Sequence, residues 1–317
     1  MRCLVTGCAG FIGSTLTDRL LSAGHTVIGI DNLSTGLPRF LDRATEWTSF
    51  ELIHGNLARI SHALKAMRGI DQVFHMAANA DVRFGTAHPR RDIEQNTLVT
   101  HNVLEAMRLH GTKRIMFAST GSVYGEAQVF PTPENAPFPV QTSFYAVSKL
   151  AAEGLIAAYC EGFGFQSHIF RFVSILGERY THGHVFDFYS QLLADPSKLK
   201  ILGDGHQRKS YLYVQDCIDA IMIALEKADG RVNIFNLGTN EYCRVDDSIR
   251  WICERLNLKP ALEYTGGARG WVGDSPFIFL DCAKMRSLGW RPKLSIRDGI
   301  EATVDFLKSN PWVMESR

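Results

Sequence analysis

The sequence has no apolar run long enough to cross a bilayer, no Cys-x-x-Cys pair and no excess of either charge. A spanning helix needs roughly 18 to 20 consecutive apolar residues, so helical membrane insertion is excluded. The seven cysteines are scattered and odd in number. Neither a disulfide framework nor a thiolate metal site is indicated, and a reducing, cytoplasmic setting fits. Lys and Arg number 34 against 33 Asp and Glu, a formal charge of +1. Such a chain lacks the broad positive field of a nonspecific nucleic-acid or membrane-surface binder, and neither partner is expected. Met1 to Gly7 enters a strand at once, which leaves no room for a signal peptide.

What is present is an ordinary globular mix, 45% hydrophobic and 21% charged over 317 residues. It can bury a sizeable core and suits one domain with an appendage, or two domains. Short apolar runs at 3–5, 26–30, 50–54, 72–75, 114–118 and 167–172 read as buried parallel strands. Between them, 11–23, 58–67, 90–110 and 143–163 read as helices. This alternation predicts an α/β fold, a Rossmann-type doubly wound parallel sheet, over 1–172. After 172 the rhythm breaks. Glycines, aromatics and basic residues crowd 177–189 and 203–213, and helical patterns return at 214–227, 245–256 and 296–308. A smaller, mixed α/β C-terminal substrate lobe is expected over 173–317, with some segments returning to the first domain. The Pro-rich stretch 130–140 reads as a surface loop.

The first strand runs into Gly7-Cys8-Ala9-Gly10-Phe11-Ile12-Gly13. Glycines in a first βα turn let the backbone approach a pyrophosphate, and the following helix offers free N–H groups to the anion. Asp31 closes the second strand, where a carboxylate accepts hydrogen bonds from a ribose diol and repels a 2′-phosphate; NAD is favoured over NADP. The bland alternatives are a tight turn without a ligand and an Asp that caps Asn32-Leu33-Ser34.

Tyr145 and Lys149 lie four residues apart on one helical face, and no other of the nine tyrosines has Lys at that offset. A lysine beside a phenol favours the phenolate, so a lowered Tyr145 pKa is expected, suited to taking a hydroxyl proton. A surface Tyr–Lys contact is the commoner reason for such spacing. The position downstream of a dinucleotide turn favours chemistry. Ser119, Thr120 and Ser122 stand at the carboxyl end of the fifth strand, where hydroxyls face a ligand crevice; Thr120 could serve a reacting oxygen, or these groups could satisfy loop backbone.

With these motifs the chain resembles the extended short-chain dehydrogenase/reductase family, in its UDP-galactose 4-epimerase-like branch of nucleotide-sugar epimerases and dehydratases. Val5–Ser14 is similar to the family's opening, 31–36 to its adenosine-ribose loop, His75-Met76-Ala77-Ala78 to the segment along the cofactor, and Tyr145-Ala146-Val147-Ser148-Lys149 to its catalytic helix. The resemblance implies Thr120, Tyr145 and Lys149 as catalytic residues. It implies a tightly held NAD against Gly7, Gly10, Phe11, Ile12, Gly13, Asp31, Asn32, Thr35, Gly36, Asn56, Leu57, Met76, Ala77, Ala78, Asn96, Ala118, Tyr145 and Lys149. It implies a nucleotide-diphosphate sugar against Ser122, Tyr145, Ser174, His184, Val185, Lys209, Arg269 and Asp274, and a homodimer through the 90–110 and 143–163 helices. The expected reaction is C4 inversion of a UDP-hexose through a transient 4-keto sugar.

Several residues depart from the family pattern. Asn56 replaces an Asp near adenine, and Ser174 replaces an Asn at the diphosphate. Lys209 replaces a clamping Arg, and a point charge does not imitate a bidentate fork. Trp271 falls where another Arg is common; Arg269, Arg208 and Arg179 are nearby. His182 and His184 sit where a phosphate is plausible, or are ordinary surface histidines. A nucleotide-sugar 4-oxidase, a 4,6-dehydratase and a noncatalytic NAD-binding sensor are the alternatives. The sensor is disfavoured by the survival of Thr120, Tyr145 and Lys149. The dehydratase is disfavoured because Gly121 and Ser122 stand where dehydratases of this family carry carboxyls.

Overall fold

The computed structural model describes residues 1–79, 84–138 and 140–316. Its central sheet contains β1 (Arg2–Thr6), β2 (Thr26–Asp31), β3 (Phe50–His54), β4 (Gln72–His75), β5 (Arg114–Thr120), β6 (Gln166–Phe172) and β7 (Val232–Leu237). Their order is β7-β6-β5-β4-β1-β2-β3. β1 pairs in parallel with both β2 and β4, so the strand order reverses there, and a doubly wound sheet binds its ligand at such a reversal. The flanking helices include α1 (Phe11–Ser22), α2 (Ile60–Ala66), α3 (Val99–His110) and α4 (Phe144–Phe163).

Continuous apolar runs bury the central strands β1, β2, β4 and β5 on both faces. Leu4, Ile28, Ile30, Val73, Ile115 and Phe117 of the sheet join Val103, Leu104 and Met107 of α3 and Ile156 and Cys160 of α4 in one core cluster. Each fully buried aliphatic side chain contributes about 1.5–3 kcal/mol. β3 is the edge strand and is largely exposed.

The helix expected over 90–110 is not one regular element. Pro89–Asp92 forms a single turn, Ile93–Leu98 is a wider π-helical segment, and α3 follows. Thr100 Oγ1 donates to the Asn96 carbonyl at 2.6 Å. A hydroxyl that takes an i−4 carbonyl competes with the helix ladder, and π segments recur at functional sites.

The chain divides into two compact units. One comprises Met1–Val123, Phe144–Arg171 and Ile221–Phe235; the other comprises Tyr124–Ser143, Phe172–Ala220 and Asn236–Arg317. The second unit is mixed. Tyr211–Tyr213 pairs in parallel with Ser174–Leu176, and Arg208–Lys209 lies between Cys243–Arg244 and Phe277–Ile278. Its helices include His184–Ala194, Val245–Leu256 and Ile296–Ser309. The first of these runs through a region that reads as irregular; it starts directly after Gly183 and contains neither Gly nor Pro. Trp290 is buried there and donates its indole N–H to the Asp216 carbonyl at 3.0 Å.

Candidate active site

The glycine turn leaves no room for side chains. Gly7 has φ +67°, and a Cβ on it would lie 2.8 Å from Ala77 Cα. A Cβ on Gly13 would lie 2.1 Å from the Gly7 carbonyl oxygen. Gly7 N–H donates to Ile30 and Gly10 N–H to Gly7. α1 then begins with no side-chain cap and no acidic residue in its first turn. Its first N–H groups are therefore directed to whatever anion approaches, which is the cradle a pyrophosphate requires. Phe11 and Gly13 are buried and Ile12 half-buried behind that turn. The residues present fit a dinucleotide.

Asp31 is buried at the end of β2. Oδ2 accepts from Ala9 N–H at 2.9 Å and Oδ1 from Leu33 N–H at 2.8 Å. It thus caps the turn, as the bland reading holds. An ionised carboxylate has about four acceptor positions, so capacity remains for a diol. Gly36 lies against it, where a Cβ would come within 3.0 Å of Oδ2, and Thr35 is exposed beside it. Asn32 and Asn56 line an open concavity of about 390 Å³ with His54, Gly55, Arg59 and His62. Asn32 Oδ1 accepts from Ser34, Asn56 Oδ1 from Ala58 N–H, and His62 Nδ1 from Asn56 N–H. Leu57 is buried, and Met76, Ala77 and Ala78 are half-buried after β4.

A buried network joins β1 and β4 to α4. Thr6 Oγ1 accepts from Met76 and Ala77 N–H and lies 2.7 Å from His75 Nδ1. Its own proton must then go to Nδ1, which puts the ring N–H on Nε2, 3.0 Å from Thr100. Burial, then the Lys149 charge, push His75 down to about 3, so the ring is neutral. Asn96 accepts from Asn79 N–H and donates to Ser148 Oγ, which donates to the Tyr145 carbonyl.

Thr120, Tyr145 and Lys149 meet in the same unit. The Thr120 side chain hydrogen-bonds to Tyr145, and Ser122 N–H donates to Thr120 Oγ1 at 3.1 Å. One expectation is corrected. Tyr145 is not lowered by Lys149: burial pushes its phenol up to about 12, against the Thr120 hydrogen bond. Lys149 Nζ instead donates to the Ala118 carbonyl at 2.8 Å and sits 4.8 Å from the Phe117 ring centre. Burial brings Lys149 down to about 7.

Residues 3–238 match the NAD dependent epimerase/dehydratase family. The chain belongs to this family. It is 33% identical to a UDP-glucose 4-epimerase of Mycolicibacterium smegmatis, over 98% of this chain and 99% of that one. A crystal structure of a UDP-galactose 4-epimerase superposes with a TM-score of 0.88 at 36% identity, covering 98% of this chain and 100% of that one. The UDP-glucose 4-epimerase of Thermus thermophilus, solved with NAD, gives 0.87 at 31% identity, covering 97% and 99%. NAD is therefore the cofactor of this epimerase/dehydratase family member.

In the second unit, most of the residues expected to meet a substrate are already committed to other protein groups. Lys209 Nζ donates to Asp274 Oδ1 at 2.7 Å and to the Ser275 carbonyl, leaving one of its three N–H groups. Asp274 is buried and also accepts from Gly270 N–H. Arg269 pairs with Glu126. His184 lies 4.5 Å from the Tyr211 ring, and Nε2 is 2.6 Å from Ser248 Oγ. Burial, then Lys209, push it down to about 3, so it brings no positive charge. Val185 is fully buried, main chain included, and Ser174 is exposed. Arg208 stacks 3.9 Å over the Phe277 ring. Sequence reading missed Glu153, Arg171 and Asp92, all buried in the first unit. Glu153 was findable as Lys149 plus four; the other two carried no local signal.

Proposed function

We propose that this protein is an NAD-dependent nucleotide-sugar 4-epimerase that inverts C4 of a UDP-hexose through a transient 4-keto sugar. The observation that carries the reading is the hydrogen bond between Thr120 and Tyr145, in the unit that also holds the glycine turn. Tyr145 takes the proton from the C4 hydroxyl and later returns it. Thr120 orients that oxygen and shares its proton. Lys149, anchored on the Ala118 carbonyl, supplies positive charge to the site. What NAD supplies when bound is a reversible hydride acceptor.

In this reading Gly7, Gly10, Phe11, Ile12 and Gly13 hold the pyrophosphate through main-chain N–H groups. Asp31, Asn32, Thr35 and Gly36 hold the adenosine ribose, and Asn56 and Leu57 hold adenine. Met76, Ala77, Ala78, Asn96 and Ala118 line the cofactor's path. The 1–172 region serves mainly as the NAD-binding domain and 173–317 mainly as the nucleotide-sugar lobe, with 124–143 grouped in the second unit and 221–235 returning to the first. Ser122, Ser174, His184, Val185, Lys209, Arg269 and Asp274 serve the nucleotide-diphosphate sugar, with Lys209 acting through its remaining N–H.

Elimination of water across C5–C6 needs groups that deliver and remove protons there. Gly121 and Ser122 offer no carboxyl, which disfavours dehydration. A homodimer through α3 and α4 is supported by exposed Leu109, Phe144, Val147 and Phe163. A cytoplasmic setting is supported by seven buried free thiols. Among the described residues, no helix is long and apolar enough to cross a membrane. Incubation with UDP-, GDP-, CDP- and dTDP-sugars, followed by NMR, tests the proposal. A mixture of C4 epimers of a UDP-hexose is expected; a 4-keto-6-deoxy product would establish dehydration instead.

A further inference from the structure

Three consecutive residues at the end of β5 are each tied to α4, at one-turn intervals along one helix face. Ala118 accepts from Lys149, Ser119 Oγ donates to Glu153, and Thr120 bonds Tyr145. Residues 145, 149 and 153 are four apart and share that face. Tyr145 and Lys149 have roles above; Glu153 has none. Its side chain is buried, and Arg171 of β6 grips it as a fork, Nη2 to Oε2 at 2.7 Å and Nε at 3.1 and 3.2 Å to the two oxygens.

A buried ion pair is a poor way to stabilise a core; apolar residues of similar volume often do better. This one lies next to the reacting groups. We propose that Glu153 is a positioning residue: held by Arg171, it locks the Ser119 rung, and with it Thr120, against α4 and sets a fixed negative charge one helical turn from Lys149. The inference rests on the epimerase reading of the site. Lys149 is faced by Glu153 and Tyr145 from its own helix, by Asp92 of the Pro89–Asp92 turn and by neutral His75 of β4. Burial drives the ammonium toward neutrality, and Glu153, ahead of Asp92, opposes it. Without that charge Lys149 loses its proton sooner, and the site loses the positive charge that the epimerase reading assigns to it.

The test uses the protein as purified, with lysine labelled at Nζ with ¹⁵N. Lys149→Met identifies the Lys149 resonance. Glu153→Gln should lower the Lys149 titration midpoint by about one pH unit or more. kcat above the midpoint should fall roughly tenfold with it, its alkaline limb moving to lower pH, while KM changes little. The double variant Glu153→Gln, Arg171→Met leaves no unpaired buried charge. It should regain the wild-type Tm yet keep the lowered midpoint and kcat. A folded double variant with wild-type midpoint and kcat would show that the pair is only scaffolding. If neither neutral variant folds, Glu153→Asp decides: it keeps the charge but shortens the reach to Ser119. It should hold the midpoint near wild type and lose turnover; wild-type kcat would overturn the positioning role. The midpoint is read without any sugar. A wild-type protein that inverts no nucleotide sugar would therefore refute the activity and leave this measurement standing.

Discussion

Tyr145 carries two opposed influences, burial that keeps its proton on and a hydroxyl partner that helps take it off. Tyr145→Phe removes the acid–base group without altering the glycine turn. Turnover should fall by roughly 10²–10⁴, the usual worth of such a group. NAD(H) released on denaturation should stay at the wild-type ratio. Undiminished turnover would take Tyr145 out of the reaction. Gly13→Ala is the converse case. Its new methyl would sit 2.1 Å from a backbone oxygen that has nowhere to go. Overpacking of about 1–3 kcal/mol is expected, enough for a roughly five- to hundredfold loss of NAD retention. The same denaturation assay reads it, and full retention would remove that glycine's packing role. These residues were legible because their chemistry is local: a turn without Cβ atoms, a Tyr–Lys offset of one helical turn. The commitment of Lys209 to Asp274, 65 residues away, was not, since no local pattern encodes such a pairing.

Elements were legible where their burial imposed one period. β1 to β6 appear close to where continuous apolar runs place them. β7, Val232–Leu237, escaped because Asn233 and Asn236 interrupt its run. Both asparagines are buried with their amides spent on carbonyls, Asn233 on Ser167 and Asn236 on Thr132. The π segment at 93–98 escaped because a hydroxyl competing for a carbonyl leaves no mark on hydrophobic spacing. The end of β4 carries a consequence for stability. His75 is held neutral at about 3 in the folded state against 6.5 when free. Below pH 6.5 the unfolded chain takes up a proton that the folded protein refuses until about pH 3. Stability is therefore lost as pH falls through that window, at about 1.4 kcal/mol per pH unit from this group. His184 acts in the same direction. Tm should drop between pH 7.5 and 5, and the slope should shrink in His75→Asn. A Tm independent of pH would contradict the buried neutral ring.

For the whole molecule, the two units differ in how much of their function the chain displays. The first unit holds a doubly wound sheet, and its uncapped glycine turn and its Thr120–Tyr145 contact fall on motifs within about 150 residues. The second is assembled from small sheets of two or three short strands and several helices, and the Lys209–Asp274 pair is internal to it, so its ligand is not written in any motif. Family membership and the glycine turn agree on NAD; the reaction itself rests on Tyr145 and Thr120. The central claim is that C4 is inverted without net redox change and without loss of water. The most direct measurement uses a UDP-hexose deuterated at C4, incubated with the purified protein and followed by NMR and mass spectrometry. The C4 epimer should carry the full deuterium content at C4, because what leaves that carbon returns to it. Loss of the label to solvent, or accumulation of a 4-keto sugar with reduced cofactor left on the protein, would contradict the account.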